Sequence, residues 1–273
     1  MRETQKIILI VPPVRVRAAL ETGLTLAHRS YRLGNGAHLF RSNLPVNLRG
    51  GLMVLEDTGF DGQGEAAVFC REVLRECTTR GFNGVICNFE SRGLPLQSQI
   101  VSELGALLSQ RGWPLYVTES YGACSERAKV LISSALSGGS LQTRLEEAIA
   151  QYGVQRVALA VERVAADFFL PSPTGQGTPL SQEELKRRLE EQNATVFFSN
   201  ELCAHYFTYM SKQNGAHFIL FDDAGSIRKK LQIARNLDIQ DVIFLYEQVE
   251  DLLPTLLSGK KPAPAPRSGN NRR

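Results

Sequence analysis

The sequence is poor in the residues that would build a metal centre or a nucleotide site. Its four histidines, His28, His38, His205 and His217, show neither HxH nor HExxH spacing, so no local histidine cradle for a metal exists. The five cysteines, Cys70, Cys77, Cys87, Cys124 and Cys203, are odd in number and contain no CxxC pair. That excludes the usual zinc spacings and fits buried free thiols in a reducing compartment better than a disulfide framework. A Gly-rich phosphate loop of the P-loop or dinucleotide type is missing, and Gly34-Asn35-Gly36 reads only as a turn. No apolar run reaches the roughly 20 residues of a membrane span. The apolar run at 6–11 is too short for the core of a cleavable signal peptide, and Pro12-Pro13 closes it. The formal charge of +3 comes partly from the last fourteen residues, so nothing demands nucleic acid as a partner. Neither a cofactor, a metal nor a membrane is expected.

What is present is the composition of one large globular core: 273 residues, 43% hydrophobic and 22% charged. From about residue 50 onward, short β-rich runs alternate with amphipathic helical ones, the rhythm of parallel βα units. Strands are predicted at 52–56, 84–90, 114–119, 130–135, 156–162, 217–222 and 241–246. Helices are predicted near 64–80, 97–111, 140–152, 181–192, 225–236 and 248–257. In the first of these Ala66, Phe69, Cys70, Val73, Leu74 and Cys77 fall at helical spacing, which gives one apolar face to pack on a sheet. The first fifty residues are less regular: 7–11 reads as a buried strand, and either 31–33 or 38–40 as another. The expected fold class is α/β, a (β/α)8 TIM-type barrel over residues 1–258 with a small inserted hairpin or loop region before the last strands. The hairpin is placed at 194–198 and 206–210, after a loop at 170–178. Residues 259–273, basic and rich in Pro and Ala, are expected to form a disordered tail.

In such a barrel the side chains at the C-terminal strand ends form the active face. Acidic residues crowd those ends here: Glu56-Asp57, Glu90, Glu119, Glu162 and Glu247 each follow an apolar run. Any one of them also suits a helix cap or an ion pair with a lysine. Several on one rim suit acid–base work on a neutral, hydroxyl-rich substrate, because glycosidic cleavage needs a protonated carboxyl beside the leaving oxygen. The sharpest stretch is Gly81-Phe82-Asn83-Gly84-Val85-Ile86-Cys87-Asn88-Phe89-Glu90. Strand alternation puts Asn88 and Glu90 on one face, toward the barrel axis, and Cys87 and Phe89 on the other.

This stretch resembles the strand-four motif of glycoside hydrolase family 18, a run of the form DGxDxDxE whose last residue is the acid. Asn83 and Asn88 stand at the first and third aspartates, Ile86 at the second, and Glu90 at the acid. A second likeness, to the closing segment of spore-germination enzymes of that family, runs through Thr178-Pro179-Leu180-Ser181, Tyr206-Phe207-Thr208-Tyr209 and Phe221-Asp222-Asp223-Ala224-Gly225-Ser226. The two together span roughly residues 50–255. The resemblance implies a hydrolase of N-acetylglucosamine-containing polysaccharide, peptidoglycan or chitin-like, in the cytoplasm or associated with the spore. In that family the substrate's own acetamide attacks the anomeric carbon. It implies Glu90 as general acid/base, partly buried, and Asn88 as holder of the acetamide. Glu56, Glu119, Tyr121, Ser134, Glu162 and Tyr246 are the expected contacts to the sugar.

The sequence also departs from the family. Asn88 accepts a hydrogen bond but carries no charge to balance a positive intermediate. Ser133-Ser134 stands where the family has a Tyr-Asp pair, and Leu245 where it has the tryptophan under the sugar. The sole tryptophan, Trp113, precedes a strand and reads as packing, while sugar stacking is left to Tyr246, Tyr121 or Phe89. Two readings therefore stand side by side, a glycosidase and a catalytically impaired barrel that binds glycan or a protein partner.

Overall fold

The structure is a computed structural model that describes residues 5–42, 49–91, 94–171, 175–211 and 215–257. The expected tail at 259–273 lies outside the described residues. Eight parallel strands make a closed ring: β1 (Lys6–Val11), β2 (Thr25–Gly34), β3 (Leu52–Glu56), β4 (Val85–Asn88), β5 (Leu115–Thr118), β6 (Lys129–Ser133), β7 (Val157–Val161) and β8 (Asp241–Leu245). Each strand pairs with the next in sequence, and β1 pairs with both β2 and β8, which closes the barrel.

The strands read as nearly unbroken apolar runs because both of their faces are buried. Alternate residues point inward. Ile8, Ile10, Ala27, Leu52, Val54, Ile86, Tyr116, Leu131, Ala158 and Ile243 pack together inside the ring. Their neighbours, among them Leu9, Met53, Leu55, Val85, Cys87, Val117, Val130 and Leu159, pack outward under the helices. The floor of the ring is polar. Lys129 on β6 is ion-paired to Asp241 on β8, across the intervening β7.

Five longer helices follow: α1 (Ala66–Arg80), α2 (Pro95–Ser109), α3 (Leu141–Tyr152), α4 (Gln182–Gln192) and α5 (Ala224–Asn236). Ala66, Phe69, Cys70, Val73 and Cys77 form the buried face of α1, which ends at Gly81 with φ +69° and its N–H on the Cys77 carbonyl. α4 and α5 start with reciprocal caps, Ser181 with Glu184 and Asp223 with Ser226. All five cysteines are free, and only Cys124 is not fully buried. Burial pushes the thiols of Cys70 and Cys77 up to about 12, which makes them inert packing groups.

Two outer helices of a regular barrel are replaced. After β2 the chain turns through Gly36 at φ +69° and runs back along β2 as the strand His38–Arg41. After β5 only a single turn, Glu119–Tyr121, precedes β6. The sequence leaves 31–33 and 38–40 as alternatives; the first lies on the barrel strand and the second is its antiparallel partner.

The expectation that 217–222 is a barrel strand is overturned. Ala216–Phe221 is the central strand of an antiparallel sheet inserted between β7 and α5, in the order Thr178–Pro179, Ala165–Leu170, Ala216–Phe221, Ala204–Met210, Phe197–Ser199. An apolar run reports that a strand is buried, not which sheet buries it. The expected hairpin is present as the last two strands, within an insertion larger than foreseen. α4 covers one face through Leu180, Leu185, Phe207 and Ile219.

Asp222, at the exit of the insertion, holds its entrance closed. Its carboxylate accepts from the Val164 N–H at 2.9 Å, the Lys230 Nζ at 2.6 Å and the Ser226 hydroxyl at 2.7 Å. Lys230 and Asp222 are 0% and 1% exposed. Asp222→Ala strands a buried ammonium, and unfolding in urea is expected to show a loss of about 3–5 kcal/mol. A loss below about 1 kcal/mol would mean that Lys230 finds water or another partner.

Candidate active site

The site is the C-terminal mouth of the ring. The alternation that points Val54 and Ile86 inward also points Glu56 and Asn88 inward one step higher, and these two are direct partners in the β3–β4 register. By the same count Ser133 on β6, Ala160 on β7 with Glu162 just past its end, and Leu245 on β8 face the mouth. Arg29 enters from β2 just before an irregularity in the β2–β3 register between Arg29 and Tyr31. Its guanidinium lies between two carboxylates, 3.4 Å from Glu56 and 3.6 Å from Glu247.

Glu90 stands just past the end of β4. The partial burial expected for it is absent, since the side chain is exposed and makes no hydrogen bond or ion pair among the described residues. Its backbone, in contrast, is held from both sides. The buried Asp57, directly after β3, accepts from the N–H groups of Glu90 at 2.9 Å and Ser91 at 3.2 Å. Gln97 of α2, fully buried, reaches the same carboxylate at 3.5 Å. From β5, the Thr118 hydroxyl donates to the Phe89 carbonyl at 3.0 Å, and the Tyr121 hydroxyl donates to the Ser91 carbonyl. Burial, reinforced by the Asp57 charge, pushes the Tyr121 phenol up to about 12, so it keeps its proton and remains a donor. Four hydrogen bonds from the two flanking strand ends thus fix a loop of three residues.

Strand register sets Asn88 level with Glu56, and the inward count puts Glu162 on the same mouth, while Glu90 stands exposed just past the end of β4; four other expected sugar contacts lie elsewhere. Glu119 is turned outward into an ion pair with Arg144 of α3. Tyr121 is 1% exposed, packed edge-on against Phe89, and serves the Ser91 carbonyl instead of a sugar. Ser134 is buried at 1%; its hydroxyl accepts from the Glu162 N–H at 3.1 Å. Tyr246, 4% exposed, belongs to the outer core. Phe89, also considered for stacking, is 1% exposed, and Trp113 packs against the core with Arg111 over its ring, as read from the sequence. An odd–even shift explains these misplacements: Glu119, Ser134 and Tyr246 are each one residue past an inward position or the strand end, where the chain has already turned outward. Sequence reasoning flagged Asp57 only as one more rim acid, and it missed Arg29 and Thr118. Arg29 lay in the stretch whose register had no clear period.

No protein-family profile matches the chain. The cortical fragment-lytic enzyme of Bacillus subtilis is 23% identical over 109 residues, 39% of this chain. The chain spans about a quarter of the length of the curated relatives it matches. Among solved structures, the spore cortex-lytic enzyme SleL of Bacillus cereus superposes with a TM-score of 0.66 at 16% identity, covering 94% of this chain and 75% of that one. A chitinase from Chromobacterium violaceum does so with a TM-score of 0.66 at 12% identity, covering 94% and 100%. The barrel is the fold of these enzymes. A GH18 chitinase of Cycas revoluta, solved with (GlcNAc)3, has a TM-score of 0.58 at 13% identity and covers 92% of this chain and 98% of its own. The likeness extends over the closed ring of eight parallel strands read from the sequence.

The clamp on Glu90 is directly testable. Asp57→Ala leaves two backbone N–H groups without an acceptor and is expected to lower stability by about 1–3 kcal/mol. Amide hydrogen exchange should accelerate at Glu90 and Ser91 before it does so in β4. Unchanged protection at those two amides would show that the loop is held by something other than Asp57.

Proposed function

We propose that the chain is a glycoside hydrolase acting on N-acetylglucosamine-containing polysaccharide, peptidoglycan or chitin-like, by substrate-assisted retaining catalysis. The observation that carries this reading is an inward amide, Asn88, two residues before a carboxyl, Glu90, that has no side-chain partner among the described residues and whose backbone the neighbouring strand ends hold in place. Cortex-lytic and chitinolytic names among the similar proteins support the same substrate class.

In the reaction proposed, the acetamide oxygen of the sugar attacks the anomeric carbon while the bond to the leaving oxygen breaks. That oxygen takes the bonding pair together with the proton of Glu90. Asn88 accepts a hydrogen bond from the acetamide N–H and aligns it for attack. Water then opens the bicyclic intermediate, the Glu90 carboxylate takes the water proton, and the acetamide is restored with net retention. The exposure of Glu90 suits a group that must meet a polymer from solvent and exchange its proton each cycle.

One observation favours a second reading, a catalytically impaired barrel that binds glycan or a protein partner. The inward position on β8 is Leu245, and Tyr121, Tyr246 and Phe89 are all buried, so none of the aromatic residues considered for stacking supplies a floor for the sugar. Turnover of an aryl N-acetylglucosaminide and of muropeptide-bearing glycan separates the two. The hydrolase reading expects activity in the native chain and a loss of about 10²–10⁴-fold in Glu90→Gln with KM little changed. Equal, near-zero rates in both proteins, with glycan still bound, would establish the second reading.

A further inference from the structure

We propose that Glu56 is the carboxylate that balances the positive charge developing on the sugar, a task the neutral Asn88 cannot perform. The assignment rests on the glycosidase reading above and adds a role to the same site. When the acetamide oxygen bonds to the anomeric carbon, the electron pair leaves with the departing oxygen and a positive charge stays on the sugar and its acetamide. A fixed negative charge beside that group lowers the barrier, whereas an amide dipole does so only weakly.

The register identifies which carboxylate is in reach. Glu56 and Asn88 are Cα partners on adjacent strands, and Val54 and Ile86 directly beneath them both point into the barrel. Adjacent strands lie about 4.8 Å apart, so the two side chains face the same ring of a bound sugar. The other carboxylates nearby are engaged or distant. Asp57 is spent on the backbone N–H groups of Glu90 and Ser91, and Glu119 is turned to Arg144. Glu162 follows β7, three strands from β4.

Glu56 is also held in place. Arg29 Nε sits 3.4 Å away, while the far side of the same guanidinium is 3.6 Å from Glu247. Two carboxylates share one guanidinium, so the trio keeps one net negative charge beside Asn88, the sign required. Because Glu247 competes for Arg29, the Glu56 oxygens are not fully neutralised by their partner. The negative charge absent from position 88 on β4 is thus supplied one strand away on β3.

Four proteins test this: native, Glu56→Gln, Asn88→Asp and the double variant Glu56→Gln/Asn88→Asp. With an aryl N-acetylglucosaminide, Glu56→Gln is expected to lower kcat by about 10²-fold with KM changed less than about threefold. The double variant, which returns a carboxylate to the neighbouring strand, should recover at least about tenfold of that loss. Rescue of this kind separates a charge role from a structural one. A second measurement does not need turnover: calorimetric titration with a positively charged piperidine of N-acetylglucosamine configuration. Its affinity should fall at least about tenfold in Glu56→Gln and return in the double variant, while neutral N-acetylglucosamine should bind all four alike. A native chain that turns nothing over but shows this affinity pattern would defeat the hydrolase reading and keep the Glu56 assignment. Unchanged kcat and cation affinity in Glu56→Gln, failure of Asn88→Asp to restore them, or no binding of the cation by the native chain would overturn it.

Discussion

Closing eight parallel strands into a ring imposes one constraint from which the rest of this molecule follows: every second side chain must face the axis. Midway up, the inward residues are aliphatic, with Tyr116 among them, and fill the interior. At the floor the same faces carry Lys129 and Asp241, which neutralise each other. At the mouth they carry Arg29, Glu56, Asn88, Ser133, Glu162 and Leu245, so the chemistry of the site is the top layer of the packing pattern below it.

Such a ring supplies position but not rigidity at the loops that leave it. The segment from Phe89 to Ser91 has left the β4 ladder, so its N–H and C=O groups need other partners. Asp57, Thr118 and Tyr121 supply them, and each comes from the end of a strand that flanks β4. The result is a loop whose backbone is held while its one charged side chain stays open to solvent. That combination suits a residue that must keep a fixed position and still exchange protons. The price at this mouth is aromatic surface: Tyr121 is committed to the clamp and Phe89 to the layer beneath it.

Much of this was legible in the residues alone. Seven of the eight barrel strands, the apolar face of α1 and the inward facing of Asn88 all follow from local periodicity, because burial on two faces or on one leaves a different pattern. Less was legible where a pattern had two structural meanings. The run at 217–222 is as apolar as a barrel strand but is buried by α4 and antiparallel neighbours. The first fifty residues hid β2 because a hairpin replaces the helix that would have marked its end. Glu119, Ser134 and Tyr246 looked like rim residues until the exact end of each strand decided their direction.

By itself the sequence determined the kind of most barrel elements, the buried face of α1, and the presence of an amide and a carboxyl two residues apart at the end of one strand. Only the tertiary structure decided what stands beside that pair. It set Glu56 level with Asn88, brought Arg29 between Glu56 and Glu247, and spent Asp57 on the backbone of Glu90 and Ser91. The reason is physical: periodicity along a chain records which way a side chain points, whereas its neighbours come from strand register, and register is set by the closure of the whole ring.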